Sequence, residues 1–293
     1  MKRSKSISVI VIVVAFGIGT TVISTLLMQS RFISGGRQSD YLDLTALNGS
    51  TYPRVSSAST KPLEKSIPTI LELVGNTDNY ECPEGLVLVK DSIDPSFYEK
   101  SERKIPKVVH MTSKSRCMTE AFASNVDKWR FKGHSFFLHD DDAVDRLIET
   151  HWPEFPQLQK TLECMVPGAA IADLWRYLML WEFGGIYTDI DNAPGVLFWN
   201  ETGSVITNET DALFEQEKGG FPSQYFFASS PHHPIMFLAV YNTMHRVTDL
   251  QSVRKQYVPF VTGPGAIKSA FVRMSLVLFV YALFGYTFLN FLP

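Results

Sequence analysis

The chain has 293 residues, of which 45% are hydrophobic, and its formal net charge at pH 7 is -3. This length and apolar content allow one well-formed hydrophobic core, in one or two domains. The weak net charge and the lack of a basic stripe argue against nucleic acid as a partner. The sequence has no Walker loop, Gly-x-Ser-x-Gly motif or zinc-type Cys-His cluster, so nothing indicates an ATPase, a serine hydrolase or a zinc enzyme.

Residues 7–28 form an uncharged, mostly apolar segment. A helix of that length, at about 1.5 Å per residue, crosses a hydrocarbon core of roughly 30 Å. The segment exceeds the apolar stretch of a cleaved signal peptide, which is about 7 to 15 residues long, and no small-residue cleavage site is obvious. Basic residues are concentrated before it, with only Arg31 and Arg37 shortly after it. The positive-inside rule therefore predicts a cytosolic tail at residues 1–6, a signal anchor at 7–28 and a lumenal remainder.

Residues 29–103 are rich in Ser, Thr, Gly, Pro and Asn and contain only short apolar runs. This composition predicts a stem that tethers the globular part of the chain. Asn48, Asn200 and Asn208 each begin an N-glycosylation pattern, which agrees with a lumenal location. The three cysteines lack zinc spacing and allow one disulfide in an oxidising lumen, but the sequence does not show which two would pair.

The predicted catalytic domain covers residues 104–274 and begins with a buried strand after Pro106. Residues 134–139 predict a second strand, which leads into three consecutive carboxylates at 140–142. A metal site is one interpretation of them. We favour a cap on the helix at residues 143–150, because carboxylates satisfy free N–H groups at a helix N-terminus. Strands alternate with helices here, which predicts an open α/β sheet with ligand at the strand ends.

Residues 170–183 place apolar side chains at the three- and four-residue spacing of one helical face. Asp173 and Arg176 lie one turn apart on this helix. Alone they would be a weak surface ion pair, but a charged pair is unusual on a helix that is otherwise so apolar. Gly184 and Gly185 end the helix. The pair is either a helix cap or a point of close approach to a ligand, and the sequence leaves both interpretations open.

A short strand follows, with Tyr187 and Ile190 as strand-forming residues and Pro194 as its end. In an extended segment Asp189 and Asp191 point the same way, because the side-chain period of a strand is two. Two such carboxylates suit a hard divalent cation that keeps positions open for phosphate oxygens. An isolated Asp-x-Asp is more often turn chemistry, so the interpretation depends on the neighbouring helix.

The segments DLWRY at residues 173–177 and GGIYTDID at 184–191 together resemble the DXD sugar transferases of glycosyltransferase family 32. That family includes the fungal initiating alpha-1,6-mannosyltransferase and the inositol phosphoceramide mannosyltransferases. The resemblance implies a GT-A nucleotide-sugar transferase fold, which is an open mixed sheet flanked by helices. With the membrane segment, it implies a GT-A domain behind an N-terminal anchor helix.

The resemblance also implies roles for individual residues. Asp189 and Asp191 would bind Mn2+, or another divalent cation, and the nucleotide sugar. Asp173 and Arg176 would hold the hydroxyls of the donor sugar, and Tyr187 would lie against the nucleotide. These four charged residues form the predicted catalytic set. The predicted substrate-binding set is Asp173, Arg176, Gly184, Gly185, Tyr187 and Asp189.

The C-terminal part departs from the family pattern. Thr262 begins a Thr-Gly-Pro-Gly turn that the family shares, but members usually continue with a late loop that closes over the diphosphate, and no such loop is visible. Residues 275–293 are instead uncharged and apolar, nearly long enough to span a bilayer. A second membrane span, a buried core segment and a chain end that is not the natural one all remain open.

These observations predict a glycosyltransferase of the Golgi membrane, anchored as a single-pass type II protein with a lumenal catalytic domain. The expected reaction moves a hexose, with retained configuration, from GDP-mannose or a UDP-hexose to a glycan or a glycolipid such as inositol phosphoceramide. The preferred interpretation is transfer of mannose, with GDP-mannose as the donor. One alternative is a catalytically silent membrane protein of GT-A fold that binds a sugar nucleotide or a partner enzyme. A metal-dependent hydrolase that uses the paired carboxylates is another.

Overall fold

The structure is a computed structural model of the chain. It describes residues 67–77, 80–99, 101–165, 168–195, 205–216, 222–250 and 258–284. The predicted cytosolic tail, signal anchor and first half of the stem lie outside these residues. Within them, no helix combines the length and the apolar character that a bilayer span requires.

A five-stranded mixed sheet forms the centre of the fold, in the order β4-β2-β5-β7-β6. Strand β2 (Val108–Thr112) pairs in parallel with β4 (Ser135–His139) on one side and with β5 (Gly185–Thr188) on the other. Strand β7 (Pro222–Ser229) is antiparallel to β5 and to the edge strand β6 (Ala212–Gln216). The open mixed sheet flanked by helices that the sequence predicts is confirmed.

A small antiparallel pair lies apart from this sheet. Strand β1 (Val87–Leu88) pairs with β3 (Cys117–Met118). A disulfide links Cys117 in β3 to Cys82, which precedes β1 in the chain, while Cys164 is free. The structure thus supplies the pairing that the sequence left open.

The long helices pack on the sheet. Helix α5 (Gly168–Phe183) is buried along most of its length and contacts α3 (Asp141–Ile148) and α6 (Pro234–Leu250). Asp140 caps α3, since its carboxylate accepts a hydrogen bond from the backbone N–H of Ala143 at 3.0 Å. The capping interpretation of residues 140–142 is therefore confirmed for Asp140. The remaining α-helices of the described residues are α1 (Ile70–Val74), α2 (Glu120–Asp127), α4 (Leu158–Leu162), α7 (Val258–Val261) and α8 (Pro264–Phe284), and a short 3-10 helix covers Pro95–Tyr98.

Successive residues of β5 enter opposite hydrophobic layers, as the side-chain period of a strand requires. Tyr187 packs with the layer that contains α5 and α6, whereas Ile186 packs with the layer under α2. The phenol of Tyr187 is consequently directed to the same side of the sheet as the buried face of α5. This alternation is what places Tyr187 beside Arg176.

Two predicted domain boundaries fall inside packed structure. Residues 67–77, assigned to the stem, contain α1, in which Leu73 is fully buried and its carbonyl accepts a hydrogen bond from Arg146 at 2.7 Å. The packed unit therefore begins before residue 104. At the other end, the boundary between residues 274 and 275 lies within α8, which continues without interruption to Phe284.

Candidate active site

Asp173 and Arg176 form a buried ion pair on the inner face of α5. Their Oδ1 and Nη2 atoms are 3.1 Å apart, and the two residues are 5% and 8% exposed. Because they are one helical turn apart, both side chains project toward the end of β5. Because the pair is short and buried, it belongs to the protein interior and is not the surface ion pair that the spacing alone suggests.

The arginine also reaches the strand side of the motif. Arg176 Nη1 lies 3.4 Å from Asp189 Oδ1, and it donates a hydrogen bond to the backbone carbonyl of Gln224 at 3.0 Å. The guanidinium carbon is 4.6 Å from the centre of the Tyr187 ring, within the range of a cation–π contact. The structure thus brings together Asp173, Arg176, Tyr187 and Asp189, which the sequence analysis selected from separate elements.

Tyr187 orients the first DXD carboxylate. Its hydroxyl donates to Asp189 Oδ1 at 2.5 Å, and the backbone N–H of Asp189 donates to the carbonyl of Tyr225 at 2.9 Å. One carboxylate oxygen of Asp189 is therefore held by Tyr187 and Arg176. The side chain remains 33% exposed, so its second oxygen is directed to a part of the site that solvent or a ligand can reach.

Charge in the site is asymmetric. Burial raises the pKa of Asp173 and of Asp189, and the Arg176 guanidinium opposes that rise in both. Burial alone would lower the pKa of Arg176, but Tyr187 and the two carboxylates raise it, so this residue stays a cation. Asp191 acts on Asp189 as a like charge and raises its pKa further. The two carboxylates beside the guanidinium, together with the like charge of Asp191 near Asp189, carry more negative charge than Arg176 can offset, an excess that would suit a divalent cation.

The predicted extended conformation up to Pro194 is wrong. Strand β5 ends at Thr188, and the backbone N–H of Asn192 closes a turn onto the carbonyl of Asp189 at 3.1 Å. The Asn192 side chain stabilises this turn by donating to the carbonyl of Tyr225 at 2.9 Å. Hydrogen bonding by an asparagine side chain competes with continued strand pairing, and here the Asn192 side chain stabilises the turn that ends the strand.

Asp191 lies on this turn and is exposed. Within the described part of the chain it makes no hydrogen bond and no ion pair, so both of its oxygens are available. In the same part of the chain no group of three or more His, Cys, Asp or Glu side chains is arranged to hold a metal ion. The protein can therefore offer a cation the free oxygen of Asp189 and the carboxylate of Asp191. The other ligands would come from water and phosphate, as in open sites for hard cations.

Helix α2 fixes the position of the turn. The amide of Asn125 donates to the carbonyls of Ile190, at 2.9 Å, and Asn192, at 2.5 Å. The indole N–H of Trp129 also donates to the Asn192 carbonyl at 3.0 Å. Asn125 on α2 and Trp129 just after its end were not among the predicted site residues. Nothing in the linear sequence indicates that their polar groups would meet a turn more than sixty residues away.

Three further buried polar residues surround the ion pair, and sequence reasoning assigned them no role. The hydroxyl of Thr262 donates to Asp173 Oδ2 at 2.8 Å, and Gln224 donates to the Tyr177 hydroxyl at 2.9 Å. Tyr177 in turn donates to the backbone carbonyl of Thr262 at 2.9 Å. The Thr-Gly-Pro-Gly turn noted in the sequence is the one signal that could have directed attention to this region.

The glycine pair does not lie with these residues. Gly184 has φ of +61°, and a Cβ there would stand 2.6 Å from Pro231 Cδ. Gly185 has φ of +100°, and a Cβ would stand 2.8 Å from the carbonyl oxygen of Val108. Both glycines allow close packing of the protein on itself at the beginning of β5, while Asp189 follows its far end. The geometry gives no support to the predicted contact of this pair with a substrate.

The part of the chain that contains this site is similar in sequence to known glycosyltransferases. Residues 87–205 match the family described as "Glycosyltransferase sugar-binding region containing DXD motif". The mannosyl phosphorylinositol ceramide synthase CSH1 of Saccharomyces cerevisiae is 25% identical over 187 residues, which cover 63% of this chain and 46% of that protein. Inositol phosphoceramide mannosyltransferase 1 of Schizosaccharomyces pombe is 24% identical over 159 residues, which cover 53% and 47%. The chain thus spans about half the length of these relatives.

Among solved structures, the PaToxG glycosyltransferase is similar at 16% sequence identity and a TM-score of 0.40, over 61% of this chain and 75% of that one. The matched family region contains the segments at residues 173–177 and 184–191 that carry the resemblance seen in the sequence. It also contains Asp173, Arg176, Asp189 and Asp191. Residues 87–205 thus match a glycosyltransferase sugar-binding region that contains a DXD motif, and the predicted resemblance to this family of sugar transferases is confirmed.

Proposed function

We propose that the chain is a metal-dependent, retaining mannosyltransferase that moves mannose from GDP-mannose to a glycolipid such as inositol phosphoceramide. The observation that carries the proposal is the Arg176 guanidinium, which joins Asp173 on the helix to Asp189 of the DXD motif. The names of the two relatives, a mannosyl phosphorylinositol ceramide synthase and an inositol phosphoceramide mannosyltransferase, support both the sugar and the lipid acceptor. A UDP-hexose donor and a glycan acceptor are the alternatives.

We also propose that the protein lies in the Golgi membrane, with residues 7–28 as its signal anchor and the catalytic domain in the lumen. The uncharged N-terminal segment and its basic flank support this topology. The disulfide between Cys82 and Cys117 supports it independently, because disulfides persist in the oxidising secretory compartments and are rare in the cytosol.

The residues of the site divide the work of binding the donor. Asp189 and Asp191 would hold Mn2+ or a similar cation, which when bound offsets the negative charge of the departing diphosphate. Asp173 accepts hydrogen bonds from sugar hydroxyls, and Arg176 keeps its carboxylate in place. Tyr187 holds Asp189 in one orientation, so that its free oxygen stays on the open side of the site. Burial of the ion pair excludes water and strengthens each of these interactions.

The test is a transfer assay with the full chain in lipid nanodiscs, supplied with Mn2+, GDP-mannose and inositol phosphoceramide. Wild type should form a mannosylated lipid, and Asp191→Asn should reduce the rate by about 100-fold or more, since it removes one of two charged cation ligands. Asp142→Asn is the matched control, because it neutralises an exposed carboxylate from the other acidic run and should not change the rate.

Three outcomes would reassign the function. Transfer from a UDP-hexose but not from GDP-mannose would change the donor. Binding of GDP-mannose without turnover would favour a catalytically silent protein that retains the site. Hydrolysis that does not depend on which nucleotide is supplied would favour a metal-dependent hydrolase, and the sugar-transfer proposal would then be dropped.

A further inference from the structure

We propose that Thr262 is a positioning residue for the donor sugar, which acts by holding the Asp173 carboxylate in the orientation that sugar hydroxyls require. The inference rests on the proposed function and extends it to a residue outside the matched family region. Thr262 is 89 residues from Asp173 in the chain and lies in the turn between α7 and α8. It is fully buried.

The two oxygens of Asp173 have separate partners. Arg176 Nη2 is 3.1 Å from Oδ1, and the Thr262 hydroxyl is 2.8 Å from Oδ2. Gln224 also acts on Asp173 as a side-chain hydrogen-bond donor. A carboxylate has about four lone-pair positions, so one position remains for another donor. Because both oxygens are held, the carboxylate plane cannot rotate and the remaining position has a fixed direction. A hydroxyl of a bound sugar is the donor that would fit it.

The Thr262 hydroxyl has one proton and two acceptors within reach. Its Oγ1 lies 2.8 Å from Asp173 Oδ2 and 3.1 Å from the backbone carbonyl of Val258. The charged acceptor is also the nearer one, and hydrogen bonds to carboxylates are shorter and stronger than those to neutral carbonyls. The Thr262 hydroxyl therefore donates its hydrogen bond to Asp173 and not to the Val258 carbonyl. Removal of this hydroxyl would leave one oxygen of a buried carboxylate without its donor, which is costly and frees the side chain to turn.

The turn that carries Thr262 is itself fixed to α5. The Tyr177 hydroxyl donates to the carbonyls of Thr262, at 2.9 Å, and Gly263, at 3.2 Å, and Gln224 donates to the Tyr177 hydroxyl at 2.9 Å. A Cβ at Gly263 would stand 2.9 Å from Pro259 Cα and 3.2 Å from the side-chain oxygen of Gln224, so only glycine lets the turn approach this closely. Thr262 is thus held at a set distance from the helix that carries Asp173.

The experiment measures the affinity of the full chain in nanodiscs for GDP-mannose and for GDP, by calorimetry in the presence of Mn2+. Thr262→Val keeps the size of the side chain and removes the hydroxyl. It should weaken binding of GDP-mannose by about 10-fold or more, the usual cost of losing a hydrogen bond to a charged group. Binding of GDP, which has no sugar, should stay within about twofold. A merely structural role of the hydroxyl would weaken both ligands alike.

Two variants complete the test. Thr262→Ser keeps the hydroxyl and should bind GDP-mannose within about threefold of wild type. Thr243→Val is the matched control, because Thr243 is equally buried and its hydroxyl has no hydrogen-bond partner within the described residues. It should bind both ligands as wild type does.

Different negative results would overturn either the positioning role of Thr262 or the proposed function. A Thr262→Val chain that binds GDP-mannose as tightly as wild type, or that loses GDP and GDP-mannose equally, would overturn the positioning role alone. A Thr262→Ser chain as weak as Thr262→Val would do the same, because the hydroxyl would then not be the group that matters. A wild-type chain that binds neither ligand would overturn the proposed function and this inference with it.

Discussion

Arg176 is the residue on which the candidate site depends, because its guanidinium donates in several directions at once. It contacts Asp173 and Asp189 and also donates to the backbone carbonyls of Ala172, at 3.3 Å, and Gln224, at 3.0 Å. A planar fork with five N–H donors can satisfy such a set, whereas a lysine ammonium is a compact point charge. Helix, strand and DXD turn are therefore joined through one side chain.

We expect Arg176→Lys to lower mannose transfer by about 100-fold, since one ammonium cannot hold both carboxylates in place. The free energy of unfolding should fall by about 2 kcal/mol, because a buried carboxylate loses its partner. Initial rates with GDP-mannose and urea unfolding measure the two effects. Arg130→Lys is the control, since its 2.8 Å pair with Asp127 is partly exposed and surface pairs contribute about 1 kcal/mol at most. Unchanged transfer in Arg176→Lys would contradict the site.

Individual residues of the site were predicted better from the sequence than the residues that surround them. Asp173, Arg176 and Asp189 were selected from helix spacing and family resemblance, and they do meet. Thr262 was not selected, because nothing in a linear sequence shows that a turn 89 residues further on donates to Asp173. The glycine pair was assigned to the substrate for a related reason. A sequence shows that a position needs glycine but not which atoms approach it.

Among the elements, β2 and β4 are linked by a buried histidine pair close to the site. His110 Nδ1 and His139 Nε2 are 3.2 Å apart, both residues are fully buried, and the His139 ring lies 4.9 Å from that of Trp175 on α5. Burial lowers the pKa of His110 to about 3 and that of His139 well below 6.5. Both rings are therefore neutral in the folded protein, and one donates to the other.

This pair should make stability depend on pH below about 6.5, the value for an unfolded histidine. There the unfolded chain binds protons that the folded chain does not, so the free energy of unfolding falls as the pH decreases toward 4. Each such histidine adds a slope of up to about 1.4 kcal/mol per pH unit. His139→Gln should therefore flatten the decline measured by urea unfolding, while His151→Gln, at an exposed position, should not. Equal slopes in His139→Gln and wild type would rule out this role for the pair.

Element types were predicted more reliably than element ends. The strands that begin after Pro106 and at residue 134, and the helix before the glycine pair, are present because hydrophobic periodicity records which face is buried. The end of β5 was placed too late, at Pro194. Asn192 provides a side chain that pairs with the Tyr225 carbonyl, and this interaction ends the strand at Thr188. Such a contact between distant segments has no periodic signature.

For the molecule as a whole, composition misjudged where the packed unit begins. Residues 67–99 are polar on average, and this composition predicted a stem. In the structure, however, α1 buries Leu73 and the segment that follows it buries Val89. Arg116 is fully buried and pairs with Asp91 at 3.1 Å and with Asp140 at 3.3 Å. A few buried contacts and one disulfide fix this segment to the packed unit, although its average hydrophobicity is too low to predict that it packs. The family match, which begins at residue 87, includes part of it.

The disulfide gives a prediction for the whole chain and its compartment. Cys82 and Cys117 are 35 residues apart, and cross-linking a loop of that length stabilises a protein by about 4 kcal/mol, mainly by restricting the unfolded state. Wild type purified from a secretory host should therefore show one reactive thiol in denaturant, from Cys164. Cys82→Ser should show two and lose about that free energy of unfolding, with a lower melting temperature. Cys164→Ser, as the control, should show no thiol and nearly unchanged stability. Three reactive thiols in wild type would mean that the chain does not mature in an oxidising lumen, and the proposed topology would have to be reversed.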